Sequence, residues 1–272
     1  MPAAPGPRVQ VYIPVYNDIR FLPTAIGSVL GQTGVDVEVI VSDNASTDGT
    51  YEYALALAEK EPRLRVVRNP QNLGYMANIN KVAGLATATY YMVLCSDDML
   101  LDEGALRKAM RVMEGAADVV SVYCDMDYID AKGRRVMTRR FRRSGPFDSE
   151  AALRRSIIAS RNLFGIPLLH RTAVAARFRY RESLTYTLDV VHSAETARQG
   201  KVYHLPEALI GNRFTGHNAT WGLFSKSRGQ FEEVAKIFGL KLTLFERLAQ
   251  EINRAVVTVS KTAFLLWMRL RK

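Results

Sequence analysis

The run ATATYYMVLCSDDML, residues 86–100, decides how this chain must fold. Its first ten residues carry the β-branched, aromatic and aliphatic side chains of an interior strand, and two adjacent aspartates, Asp97 and Asp98, follow at once. A buried carboxylate is costly without a partner, and two in a row repel each other. The end of a strand in an open α/β sheet, facing a ligand crevice, is where such a pair can meet a cation or a donor.

Three strand and helix units lead up to this run. RVQVYIPVY (residues 8–16) reads as a strand and FLPTAIGSVLGQ (21–32) as a helix, with Gly31 and Gly34 near its end. VDVEVIVSD (35–43) is a second strand, and STDGTYEYALALAEK (46–60) a helix with Asp48 in its first turn and Ser46 or Thr47 as cap. LRVVRN (64–69) is a short strand and GYMANINKVAGLA (74–86) a third helix. This βαβαβαβ order predicts a mostly parallel sheet with helices on both faces. Asn17 and Asp18, Asp43 and Asn44, Asn69 and Asn72, and Asp97 and Asp98 then converge at the strand ends.

Beyond residue 104 the pattern loosens. Residues 105–113 read as a helix, 118–130 as a strand, and AKGRR (131–135) as a turn. VMTRRFRRSGPF (136–147) sets Arg139, Arg140, Arg142 and Arg143 around Phe141. NLFGIPLLHR (162–171) is a strand pair or an irregular apolar segment; residues 184–200 turn helical after Asp189, and 201–214 are extended. Near the C-terminus Phe245, Leu248, Ile252, Val256, Val259, Ala263, Leu266 and Leu270 recur at helical spacing between Arg247, Arg254, Lys261 and Arg269. The ending TAFLLWMRLRK, with Trp267, Arg269, Arg271 and Lys272, suits an anionic bilayer surface. A helix packed on its own domain is the alternative for residues 231–259.

With 272 residues, 48% of them hydrophobic, the chain can bury a full core. Charge is uneven. Residues 1–98 hold 7 Lys/Arg against 10 Asp/Glu, and the remainder 30 against 17. A basic second half points to an anionic partner, or to a merely soluble basic surface. Cys95 and Cys124 cannot form a structural zinc site alone, and they read as reduced thiols, one disulfide being the alternative. MPAAPGPR at the N-terminus lacks the regions of a signal peptide, and no apolar run reaches the roughly 20 residues of a spanning helix. The expected location is cytoplasmic, peripheral on the inner face of the membrane.

There is no G-x-G-x-x-G after the first strand and no P-loop motif, so dinucleotide and P-loop chemistry are excluded. An acidic crevice can instead accept from ribose or base hydrogens and hold Mg²⁺ or Mn²⁺, which take oxygen ligands and substrate phosphates.

Four motifs, VYIPVYN, VIVSDNASTDGT, NPQNLGYMANIN and LCSDDML, stand in the order and spacing of the family 2 glycosyltransferases of GT-A fold. The chain resembles that family strongly over residues 9–101 and more weakly to about residue 220. The resemblance implies a single Rossmann-like transferase domain over residues 1–222, with a nucleotide-sugar half (1–101), an acceptor half (102–222), and an amphipathic helical region (223–272). It implies inverting, metal-dependent transfer from a nucleoside-diphosphate sugar, UDP-linked by preference, to a saccharide acceptor, with a polyprenyl-diphosphate-linked acceptor favoured by the basic second half. Pro14, Val15, Tyr16 and Asn17 would line the base, Asp43 would read uracil, and Asn44, Arg68, Asn72, Gly74 and Asn80 would complete the donor site. Ser96, Asp97 and Asp98 fall on the DXD-type motif, Asp97 at ribose or the metal's water shell and Asp98 on the metal, with His217 as a further metal or phosphate contact. Cys95 stands where many relatives carry another Asp, and Ile79 where many carry a basic residue. Asp189 is the implied catalytic base, with Glu182 and Glu195 as rivals and a plain helix cap as the bland reading. Arg139, Arg140, Arg142, Arg143, Arg213 and Trp221 are candidates for the acceptor or phosphates. The missing Q-x-x-R-W motif implies addition of one or a few sugars. A nucleic-acid or membrane binding module and a sugar-nucleotide pyrophosphorylase stand as alternatives, and no nucleic-acid partner is expected.

Overall fold

A computed structural model describes residues 8–214 and 227–270. Strand β1 (Val9–Val15) is buried along its whole length. It pairs in parallel with β2 (Val37–Asp43) on one side and β4 (Tyr90–Val93) on the other, and β3 (Leu64–Arg68) continues the sheet beyond β2. Helices α1 (Leu22–Leu30), α2 (Thr50–Ala58) and α3 (Tyr75–Ala83) make the crossovers. This is why β1 and β2 read as continuous apolar runs: both of their faces are covered.

The deciding run is divided between two strands. The strand expected over residues 86–95 shortens to β4, because the backbone N–H groups of Thr87 and Ala88 donate to Gln10 Oε1 at 2.9 and 3.1 Å instead of entering a ladder. Met99–Leu100 forms β5, which pairs antiparallel with β10 (Lys201–Arg213) at the other edge of the sheet. Asp97 and Asp98 therefore lie in the bend that ties the two halves together.

The second half comprises α4 (Ala105–Gly115), β6 (Val119–Ile129), β7 (Arg135–Arg139), β8 (Gly145–Phe147), α5 (Ser149–Ala159), β9 (Ile166–Arg171), α6 (Thr172–Ala175), α7 (Leu188–Ala197) and β10. The sheet order is β3-β2-β1-β4-β9-β6-β10-β5. The ambiguous segment 162–171 supplies β9, one strand inserted antiparallel between β4 and β6. Helix α5 was not expected from the sequence. Its signal is Asp148, whose side chain caps it by accepting from Ala151 N at 3.0 Å, ahead of buried Ala152, Leu153 and Ile157. In α2 the expected Ser46 or Thr47 cap is replaced. Gly49 occupies the cap position at φ 92°, and Asp48 accepts from Thr50 N at 3.1 Å.

The pattern expected to run unbroken over residues 231–259 breaks at Gly239, where φ is 66°, into α8 (Ser227–Ile237) and α9 (Leu244–Leu270). Phe231 and Val234 of α8 are buried in a core with Leu153, Ile157, Phe164 and Val191, so packing continues past residue 222. Helix α9 leans on α5 through polar groups. Arg154 pairs with Glu246 at 2.6 Å, and Gln250 and Asn253 donate to the Ile157 and Ile158 carbonyls. The apolar stripe of α9 consequently faces outward: Phe245 is 84%, Ile252 56% and Val259 68% exposed.

Candidate active site

The loops after β1 and β2 are stapled together. Asn17, at φ 49°, accepts from Thr47 N at 2.8 Å, and its own N–H donates to Ser46 Oγ at 2.9 Å. Asp18 N donates to Thr50 Oγ1 at 3.0 Å. Tyr16 stands open at the strand end, 49% exposed, and offers a ring face. Behind it Asp43 is fully buried. Its carboxylate accepts from Ser46 N at 3.2 Å and pairs with Arg68 Nε at 3.3 Å, while Arg68 lies over the Tyr51 ring at 4.1 Å. Arg68 is thus held by Asp43, Tyr51 and the Ser46 carbonyl.

The asparagines beside them form a scaffold. Asn44 Nδ2 donates to Asn72 Oδ1 at 2.8 Å, Asn69 Nδ2 to Asn44 Oδ1 and to Asn78 Oδ1 at 2.9 Å, and Asn72 Oδ1 accepts from Gly74 N at 2.8 Å. This network satisfies the backbone of an irregular turn that would otherwise be left without partners. Asn80 uses both ends of its amide on the backbone of Tyr180, at 2.8 Å each, and so ties α3 to the second half. Asn44, Asn72 and Asn80, expected as donor contacts, therefore shape the crevice through protein partners. Ile79, the apolar replacement for a basic residue, is 1% exposed and packs with Met76 and Tyr180.

At the bend after β4, Cys95 Sγ and the carboxylates of Asp97 and Asp98 approach within 4.8 Å of one another. Asp98 N donates to Cys95 O at 3.0 Å, the turn that brings these side chains together. Asp98 is buried and spoken for. Asn212 Nδ2 reaches its two oxygens at 3.2 and 3.1 Å, and Arg213 N donates to Oδ1 at 2.8 Å. Burial, and then the Asp97 charge, raise its pKa well above the ordinary carboxylate range. Asp97 is the more open of the two. Asp98, expected to lead as the metal ligand, is tied by these bonds to β10, and Asp97 beside it is half-buried.

A third acid arrives from β1. Ser96 Oγ donates to Asp18 Oδ2 at 2.7 Å, and burial pushes Asp18 up to about 6. It was legible as an acid directly after VYIPVYN, at a strand end, yet it carried no expected role. Tyr75 Oη lies 3.3 Å from Cys95 Sγ, a second neighbour the sequence did not single out.

From the other half comes Asp189, in the first turn of α7. Asn162 Nδ2 donates to its Oδ2 at 2.6 Å and Val190 N to its Oδ1 at 2.9 Å. Burial raises its pKa, and the adjacent Leu188 packs with Val93 of β4 against Met76, Ile79 and Tyr180, which brings the start of α7 against the first half. The cap position of α7 belongs to Thr187. Of the rival acids, Glu195 is bound to Arg181 at 2.7 Å and Glu182 is exposed.

The arginines divide. Arg139 donates to Asn162 O at 2.6 Å, the residue that holds Asp189. Arg143 turns inward over the Phe147 ring at 3.9 Å and donates to Phe164 O at 2.5 Å, and burial lowers it to about 10. Arg140 and Arg142 are exposed, Arg142 at φ 53°. Arg213, 3% exposed, donates to Asp97 O at 2.8 Å and to Asp130 O at 2.9 Å and covers Phe21 at 4.6 Å. With Arg20 and Lys132 it lines a cavity of about 270 Å³ beside the bend. Of the arginines expected as acceptor or phosphate candidates, packing thus draws Arg143 and Arg213 toward protein partners and leaves Arg140 and Arg142 exposed. His217 and Trp221 lie outside the described residues. Cys95 and Cys124 are free thiols.

The family model for glycosyl transferase family 2 matches residues 10–181. A PGL/p-HBAD biosynthesis glycosyltransferase of Mycobacterium bovis is 24% identical over 268 residues, covering 98% of this chain and 99% of the relative. An uncharacterized glycosyltransferase of Haemophilus influenzae is 23% identical, over 79% of this chain and 68% of its own length. Among solved structures, S. aureus TarS 1–349 in complex with UDP-GlcNAc superposes with a TM-score of 0.67 at 19% identity, over 89% of this chain and 69% of that one. The mannosyltransferase PcManGT of Pyrobaculum calidifontis, in complex with GDP-Man and Mn²⁺, gives 0.63 at 18% identity, over 96% and 78%. Both neighbours share the α/β fold described above. The chain belongs to glycosyl transferase family 2.

Proposed function

We propose that this glycosyltransferase moves a sugar from a uridine-diphosphate donor to a saccharide hydroxyl with inversion, assisted by a divalent cation. The observation that carries the reading is the cluster of Cys95, Asp97 and Asp98 after β4, their ligand atoms within 4.8 Å of one another, with the half-buried Asp189 supplied from the second half. The donor set, two carboxylates and a thiol within 4.8 Å, fits a divalent ion, with Asp97 leading and Asp98 lending what its bonds to β10 leave free. Mg²⁺ or Mn²⁺ held there would neutralise the diphosphate as it leaves. Two relatives of known structure bind nucleotide sugars, one with UDP-GlcNAc and one with GDP-Man and Mn²⁺, which supports the class of donor.

The nucleoside enters beside Tyr16. Asp43 reads the uracil edge once the Arg68 guanidinium, which now covers it, gives way. Asp18 and Ser96 hold the ribose side. Asp189 accepts the acceptor hydroxyl's proton. A carboxylate whose pKa is raised by burial is a better base at neutral pH than an exposed one, provided it stays ionised. Asn162, positioned by Arg139, holds it in that state. Attack from this side, opposite the departing diphosphate, inverts the anomeric centre.

We further propose that the acceptor is lipid-linked and that the outward stripe of α9 rests on an anionic membrane. Net charge supports this, since residues 252–272 hold five Lys/Arg and no acid. Among the described residues no helix is long and apolar enough to cross a membrane, so the contact is a surface one. Calorimetric titration of UDP with Mn²⁺, and transfer assayed separately, test the core reading. Asp97→Ala should lose metal-dependent UDP binding. Asp189→Ala should keep it and lose transfer by about 10²- to 10⁴-fold. Unchanged binding in the first variant, or appreciable turnover in the second, contradicts the assignment.

A further inference from the structure

We propose that Cys95 is itself a ligand of the divalent cation and that it biases the site toward thiophilic ions such as Cd²⁺, Zn²⁺ and Co²⁺ over Mg²⁺. The inference rests on the reading that Asp97 and Asp98 hold that cation. Three observations converge on it. The Sγ atom is part of the cluster, within 4.8 Å of an oxygen of each carboxylate, so side-chain adjustments of about 1 Å bring all three to one ion with bonds of about 2.0–2.3 Å. The turn from Asp98 N to Cys95 O holds the backbone of the bend that carries all three side chains. Asp98, meanwhile, has much of its acceptor capacity taken by Asn212 and Arg213, so a third donor carries weight in this site.

The partner that Sγ does have can yield. Tyr75 Oη lies 3.3 Å away, and either atom can be the donor, so the hydroxyl can turn to donate as the sulfur takes a metal. On binding, the S–H bond breaks, its proton leaves to solvent, and a metal–sulfur bond forms; no oxidant or reductant is involved. Mg²⁺ gains little from a soft thiolate and surrenders its water reluctantly, whereas the softer ions gain most. Cys124 is an internal control. It is fully buried in the core, its Sγ nearest to the Ile166 carbonyl at 4.0 Å, and it belongs to no such cluster.

The test uses the full chain with Cd²⁺ alone, followed by ultraviolet difference spectroscopy for the sulfur-to-cadmium charge-transfer band. The wild type should show the band, and Cys95→Ser, in which Cys124 is the sole thiol, should lose it. In parallel, UDP affinity is measured in Cd²⁺, Mn²⁺ and Mg²⁺ for the wild type and Cys95→Asp. The aspartate should shift the Cd²⁺-to-Mg²⁺ affinity ratio toward Mg²⁺ by about tenfold or more. A band that persists in Cys95→Ser overturns the proposal. So does a wild type with no band whose UDP binding is still promoted by Mn²⁺. If no divalent ion promotes UDP binding in the wild type or in Cys95→Asp, the metal-site reading beneath the proposal is what has failed.

Discussion

Replacing Ile252 and Val259 together by glutamate should detach the protein from anionic vesicles while leaving it folded. Both residues lie on the outward stripe of α9, 56% and 68% exposed. Full burial of such a side chain is worth about 1.5–3 kcal/mol, so with a little over half of each surface open, the pair can contribute roughly 2–3 kcal/mol to membrane contact. Two carboxylates placed against an anionic surface should cost about 1 kcal/mol each, the reverse of what a lysine gains there. The combined loss, roughly 4–5 kcal/mol, corresponds to about a 10³-fold fall in partition coefficient. Folding should hardly notice. The contacts that seat α9, namely Arg154 with Glu246 and Gln250 with the Ile157 carbonyl, lie on its other side, and glutamate is a better helix former than either β-branched residue. Cosedimentation with phosphatidylserine vesicles, alongside thermal unfolding, makes the measurement. A double variant that partitions like the wild type refutes the membrane reading, and one that loses several degrees of stability refutes the outward placement of the stripe.

Two further outcomes follow from buried groups. His192 is stacked on Tyr180 at 4.4 Å and held near pKa 4 by burial, and His170, 5.3 Å from it, is pushed down for the same reason. Because the unfolded chain binds these protons first, stability is complete above about pH 6.5 and drains away as pH falls toward 4. For His192 alone the loss is about 3 kcal/mol. His192→Phe should flatten that acid limb in melts taken from pH 7 downward, and an unchanged slope would contradict the cause. Arg143→Ala, which removes a buried guanidinium from the Phe147 face and the Phe164 carbonyl, should cost about 2–4 kcal/mol in denaturant unfolding, whereas Arg142→Ala should stay within about 0.5 kcal/mol. Equal effects would contradict the packing of Arg143 on Phe147.

Why the neighbouring arginines differ is instructive about legibility. In RRFRRSGPF all four are equivalent by composition, and nothing local says which face meets a core. Arg143 turns inward because β8 carries Phe147 beside it and the Leu163 and Phe164 carbonyls accept from it, partners 20 and 21 residues away in sequence. The same limit explains the division between Asp97 and Asp98. Their adjacency announced a site, but Asp98 is the buried one because Asn212 and Arg213, more than a hundred residues on, donate to it. Asp18 was expected at the converging strand ends but without a role, since an acid after a strand is common, and its 2.7 Å contact with Ser96 is what joins it to the bend.

What the sequence by itself determined was the parallel half, the convergence of polar strand ends and the family. These depend on period-two burial, on continuous apolar runs and on short motifs, all of which are local along the chain. The amphipathic pattern of α9 was equally plain, yet its meaning was not. A stripe at helical spacing states that one face is apolar and leaves open what covers it. The tertiary structure decided that by giving α5 the polar side of α9 through Arg154, Glu246 and Gln250, which turns Phe245, Ile252 and Val259 outward. Side-chain pairing between distant elements, absent from any local period, decided which residues of each motif are tied to the scaffold, as Asp98 is by Asn212 and Arg213.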